Sequence, residues 1–67
     1  MVNTRKIRAR IVELGLTYEM ISGEMKIAKP TISQKINNVR PMRLDEAQKL
    51  VQILQIDKKE YAEYFFV

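Results

Sequence analysis

The 67-residue chain has no cysteine and no histidine, and only two glycines and two prolines. Without cysteine there is no disulfide staple, no zinc knuckle and no thiol nucleophile. Without histidine the commonest general base and the commonest transition-metal ligand are missing too. Few glycines and prolines mean few turns and short loops. Long apolar runs are absent: the longest, Tyr64-Phe65-Phe66-Val67, falls far short of the roughly 20 residues that cross a bilayer. The basic stretch from Arg5 to Arg10 is followed by apolar residues broken by Glu13 and Gly15, which does not make the core of a signal peptide. The expectation is therefore a single small cytoplasmic domain that is not an enzyme. It should have no metal, no cofactor, no membrane contact and no small-molecule substrate. A chain of this size has no room for a second domain, and its stability is marginal.

What is present reads as a folded, soluble domain: 46% of residues are hydrophobic and 30% charged, a globular balance. The net charge is +4, and it is unevenly spread. Residues 1–43 hold nine Lys/Arg against Glu13, Glu19 and Glu24, while residues 44–67 hold three Lys against five Asp/Glu. A basic half of this kind suits a polyanionic partner.

Apolar spacing predicts five helices and no strand. Ile7, Ile11 and Leu14 mark one face of a first helix, capped by Asn3 or Thr4 and ended by Gly15. Thr17 caps a second helix running to about residue 25. Within it Gly23 costs roughly 1 kcal/mol relative to alanine and calls for support from packing. Pro30 fits the first turn of a third helix, which carries Ile32 and Ile36 on one face and leaves at Asn37-Asn38. Arg40-Pro41 forces an extended connection. Leu44, Ala47, Leu50, Val51 and Leu54 mark a fourth helix, with Asp45 and Glu46 placed to suit its dipole. Asp57 opens a final helix that reaches about Phe65.

Residues 17–37 form two short helices joined by a tight turn, the arrangement that places a helix in the major groove of DNA. The first helix needs a small residue where the two cross, and Ser22 supplies it. Ile27 plugs the core after the turn, and Ile32 anchors the second helix. The outer edge of that helix offers small, polar and basic groups.

In these residues, in Gly15-Leu16-Thr17, in Arg40-Pro41 and in Leu44-Asp45-Glu46-Ala47, the chain resembles the Cro and lambda-repressor-type helix-turn-helix proteins of phages and mobile elements. The likeness spans nearly the whole chain, with two departures. Lys26 stands where that family has a turn glycine, and Tyr18 stands where it often has glutamine. The resemblance implies an all-α, compact five-helix domain over residues 1–67 that binds double-stranded DNA as a transcription regulator. It places Ala28, Lys29, Pro30, Thr31 and Gln34 at base-contacting positions. Gln34 suits adenine and Lys29 suits guanine. Thr17, Tyr18, Ser33, Lys35, Asn38 and Arg40 fall at phosphate-contacting positions, which fix register without reading sequence. Arg5, Lys6, Arg8 and Arg10 are expected to form a solvated positive face.

Such a domain pairs to read a near-palindromic operator, and a repressor of this kind acts by occupying a promoter in the nucleoid of a bacterial host. No separate dimerisation domain is visible, so pairing falls to the C-terminal aromatics. Tyr61 and Phe65, four apart, are expected to close the core. Tyr64, Phe66 and Val67 are then left for a partner in a weak homodimer. The rival reading is a small helical interaction module that sequesters another regulator.

Overall fold

A computed structural model describes residues 1–65 of the chain. The architecture is all-α, with five α-helices: α1 (Thr4–Glu13), α2 (Tyr18–Met25), α3 (Lys29–Ile36), α4 (Leu44–Leu54) and α5 (Tyr61–Phe65). A single 3₁₀ turn over Lys58–Glu60 leads into α5. There is no strand among the described residues.

Helix starts follow side-chain chemistry. Asn3 caps α1 by accepting from the Lys6 backbone N–H, and Thr17 caps α2 by accepting from that of Met20. Asp57 does the same for the 3₁₀ turn through Lys59. Each cap satisfies a backbone donor that the helix itself leaves orphaned.

The ends of α1 to α4 share one device, a residue in the left-handed region just past the helix. Gly15, Lys26, Asn38 and Gln55 fill these positions at φ 69°, 56°, 63° and 54°. The N–H groups of Leu16, Ile27, Val39 and Ile56 then reach back five residues to the carbonyls of Ile11, Ser22, Gln34 and Val51. Only α1 ends on a glycine. The other three each hold a side chain where glycine is conformationally cheaper, by about 1 kcal/mol.

The core is built from the apolar faces of α1 to α4. Ile7, Ile21, Ile36, Leu50 and Leu54 are fully enclosed, and Ile11, Met25, Ile32 and Val51 surround them. Each such side chain contributes roughly 1.5–3 kcal/mol by leaving water. Helix α2 packs against both α3 and α4, and α5 packs against α1.

The packing of α2 through Ile21 and Met25 against α3 and α4 supports the helix that Gly23 weakens. Two expectations are corrected. Leu44 is 73% exposed, because the inward stripe of α4 runs through Glu46, Leu50 and Leu54 and leaves the first turn outside it. Tyr64, expected at a partner surface, is buried at 7% exposure, while Tyr61 and Phe65 are only half-buried. The reason is the way the N-terminal segment closes over α5. The Asn3 N–H donates to the Tyr64 carbonyl at 2.6 Å, and the Lys6 ammonium sits 5.0 Å from the centre of the Tyr64 ring. Phe66 and Val67, the other two residues assigned to pairing, lie outside the described residues.

Candidate nucleic-acid interface

The surface of interest is built on α2, the turn Lys26–Ala28, and α3. The turn is clipped from inside. The Ser22 hydroxyl donates to the Ile27 carbonyl at 2.5 Å, and the Ser22 carbonyl accepts from the Ile27 N–H at 3.3 Å. Ile32, 3% exposed, and Ile36, 1% exposed, anchor the inner side of α3. The direction of α3 is thereby fixed by residues that face away from solvent.

Its outer side separates into two groups. Ala28, Lys29 and Pro30 are exposed, and Thr31, Ser33 and Gln34 are half-buried. Among the described residues, the polar groups of Lys29, Thr31 and Gln34 take part in no side-chain hydrogen bond within the protein. Thr17 is also exposed, and because its oxygen already accepts from Met20, its hydroxyl hydrogen is left to donate outward. Tyr18 is half-buried against the core. Arg40 is exposed and forms no ion pair among the described residues.

Lys35 and Asn38 belong to the second group, whose side chains are bonded within the protein. The Lys35 ammonium is bonded to both oxygens of Glu46, at 2.6 and 2.5 Å, with the two side chains only 12% and 10% exposed. Lys35 lies three residues after Ile32, on the inner flank of α3, so it turns toward α4 and away from solvent. The Asn38 amide is consumed by the N-terminal segment. Its oxygen accepts from the Val2 N–H at 3.0 Å and its nitrogen donates to the Val2 carbonyl at 2.9 Å. Both side chains thus have partners inside the protein. The Asn37 side-chain amide donates to the Ser33 carbonyl at 2.8 Å and to the Ser33 hydroxyl oxygen at 3.4 Å.

Glu46 is more than an acidic residue in the first turn of α4. Its position four and eight residues before Leu50 and Leu54 places it on the buried stripe, where a carboxylate must be paired. Burial alone would raise its pKa. The Lys35 hydrogen bond, the Arg43 backbone N–H at 2.8 Å and the charges of Lys35 and Arg43 outweigh that and hold the carboxyl below the ordinary value of 4.5.

The expected positive face of α1 is divided too. Arg5 and Arg8 are exposed, but Lys6 pairs with Glu63 at 3.1 Å. Arg10 turns inward, donating to the Leu54 carbonyl at 2.8 Å and the Gln55 carbonyl at 3.1 Å, and pairs with Glu13. It supplies the positive charge and the donors that the C-terminus of α4 lacks.

Among the described residues no group of three His, Cys, Asp or Glu side chains could hold a metal ion. Among the described residues no helix is long and apolar enough to cross a membrane. No curated protein matches the chain. A family model described as "Protein of unknown function (DUF739)" matches residues 2–67. That match covers all but the first residue, and the chain belongs to this family.

Proposed function

We propose that the protein is a sequence-specific, double-stranded DNA-binding transcription regulator, a Cro-like repressor that works as a dimer on a near-palindromic operator. One observation carries the reading. On α3, which packs against α2 and the core, the side-chain polar groups of Lys29, Thr31 and Gln34 have no hydrogen-bond partner among the described residues, while those of Lys35 and Asn38 do. A helix whose outer edge keeps its donors and acceptors unspent, in the basic part of the chain, suits the edges of base pairs in a major groove.

In this reading Ala28, Lys29, Pro30, Thr31 and Gln34 face the bases, and Arg40, Thr17, Tyr18 and Ser33 face the backbone. Lys35 and Asn38 instead keep α3 at its angle. Each copy presents one α3 of 8 residues, about 12 Å long, whereas major-groove faces one helical turn apart are separated by roughly 34 Å. One copy therefore reads one half-site, and two copies are needed for selectivity. Repression follows from occupancy of the promoter.

Selection of binding sites from a random duplex pool tests this. The expected result is an enriched site with two related halves, whose affinity falls linearly with log salt by about 0.9 log units per neutralised phosphate. A pool that enriches nothing above competitor DNA would reject the reading in favour of a helical module that sequesters another regulator.

A further inference from the structure

A groove of about 620 Å³ lies between α2 and α4. Leu16, Met20 and Gly23 line it from the side of α2, and Ile53 from α4. Glu19 and Glu24 border it on α2, and Lys49 on α4. Three residues that local chemistry does not favour converge here. Met20 is an apolar side chain left 52% exposed. Gly23 sits inside a helix with open space beside it, where almost any side chain would hold the helix better. Glu24 stands in the last turn of α2, where the helix dipole disfavours a carboxylate, and that turn contains no basic residue. Locally unfavourable choices gathered at one place mark a functional surface. Charge then indicates what the surface takes. Residues 1–43 hold nine Lys/Arg and only three acidic residues. Glu13 is paired with Arg10, whereas Glu19 and Glu24 both border the groove and form no ion pair among the described residues.

We infer that this groove docks a basic amphipathic helix of another protein. An apolar side chain of that helix enters between Met20 and Ile53, over Gly23, where the missing side chain leaves room. Lysines or arginines a turn to either side of it meet Glu19 and Glu24. Laying an apolar helix face into a groove is a recurring mode of recognition. The unbranched, polarizable side chain of Met20 adapts to the shape of the anchor. Lys49 opposes such a partner, so the two carboxylates outweigh a single like charge. The same carboxylates repel a phosphate backbone, and none of the lining residues belongs to α3. The groove is therefore a surface separate from the one read above as facing DNA, and its use does not depend on that reading.

The test uses the full chain without DNA and a fluorescent helical peptide of leucine and lysine, with leucine at spacings of three and four. A second peptide carries glutamate in place of every lysine. Anisotropy should show the basic peptide binding with a Kd below about 1 mM, and the acidic one at least tenfold more weakly. Gly23→Leu fills the groove with a better helix former. It should keep or raise the melting temperature and weaken binding of the basic peptide at least tenfold. Glu19→Gln combined with Glu24→Gln should weaken it at least fivefold, and Lys49→Glu should tighten it. Glu60→Gln, which removes an exposed carboxylate outside the groove, should leave it unchanged. Equal binding of the two peptides, or none of the basic one at about 1 mM protein, overturns the inference. So does unchanged binding in both Gly23→Leu and the double glutamine variant.

Discussion

Lys35 on α3 and Glu46 on α4 form an ion pair in which both oxygens of one carboxylate accept from one ammonium, with both side chains nearly enclosed. The same carboxylate accepts the Arg43 N–H at the start of α4. Glu46 therefore begins one helix and sets the tilt of another. The Lys35 ammonium is thereby tied to α4 beneath the outer edge of α3.

This pair predicts a specific acid sensitivity. Glu46 has a lowered pKa in the folded state, so its contribution is complete above the unfolded-state value. It is lost as pH falls from about 4.5 through the lower folded value. Glu46→Gln should cost about 1–3 kcal/mol at pH 7, because Lys35 is left without its counter-charge. Thermal melts of the two proteins should converge as pH drops through that range. Lys35→Met should lower stability while leaving the salt slope of DNA affinity unchanged.

Asn38 offers a test of backbone and side chain together. It adopts φ 63° and closes two hydrogen bonds with Val2. Asn38→Gly keeps the conformation but loses both bonds, at a cost of about 1–2 kcal/mol. Asn38→Ala adds the left-handed strain, roughly 1 kcal/mol more. Denaturant titration should rank wild type, glycine and alanine in that order.

Gly23 is expected to respond in the opposite direction. It sits inside α2 with open space where a Cβ would go. Gly23→Ala should therefore stabilise the fold by about 1 kcal/mol. For a domain of this size that is a rise in Tm of roughly 4–8 °C, read by a calorimetric scan.

Gln34 and Arg40 separate reading from holding. Gln34→Ala should cost about 1–3 kcal/mol at the preferred site and relax preference at one base step. Arg40→Ala should weaken all duplexes by a similar factor and reduce the salt slope by about 1. Competition binding with single-base variants of the selected site checks both. Equal behaviour of the two variants would reject the division between them.

Apolar periodicity by itself determined the all-α architecture, the positions of α1 to α4 and their inner anchors Ile7, Ile11, Ile32, Ile36, Leu50 and Leu54. Those signals are local: a helix face is written at spacings of three and four, and Asn3, Thr17, Gly15 and Asn38 mark helix ends through chemistry acting within a turn. The tertiary structure alone decided which polar side chains of α3 stay available. Lys29 and Lys35 are the same residue type on one helix, but among the described residues only Lys35 meets a carboxylate, and that carboxylate is eleven positions away on another helix. The spacing of Glu46 with Leu50 and Leu54 carried a signal that it was buried, though not the identity of its partner. Tyr64 was beyond sequence reading for a related reason. Tyr61, Tyr64 and Phe65 share one face of a helix little more than a turn long, and the N-terminal segment packing over it selects Tyr64 for the interior. Local spacing fixes what each helix offers, but burial and pairing depend on contacts between segments as far apart as Asn3 and Tyr64, and those exist only once the chain has folded.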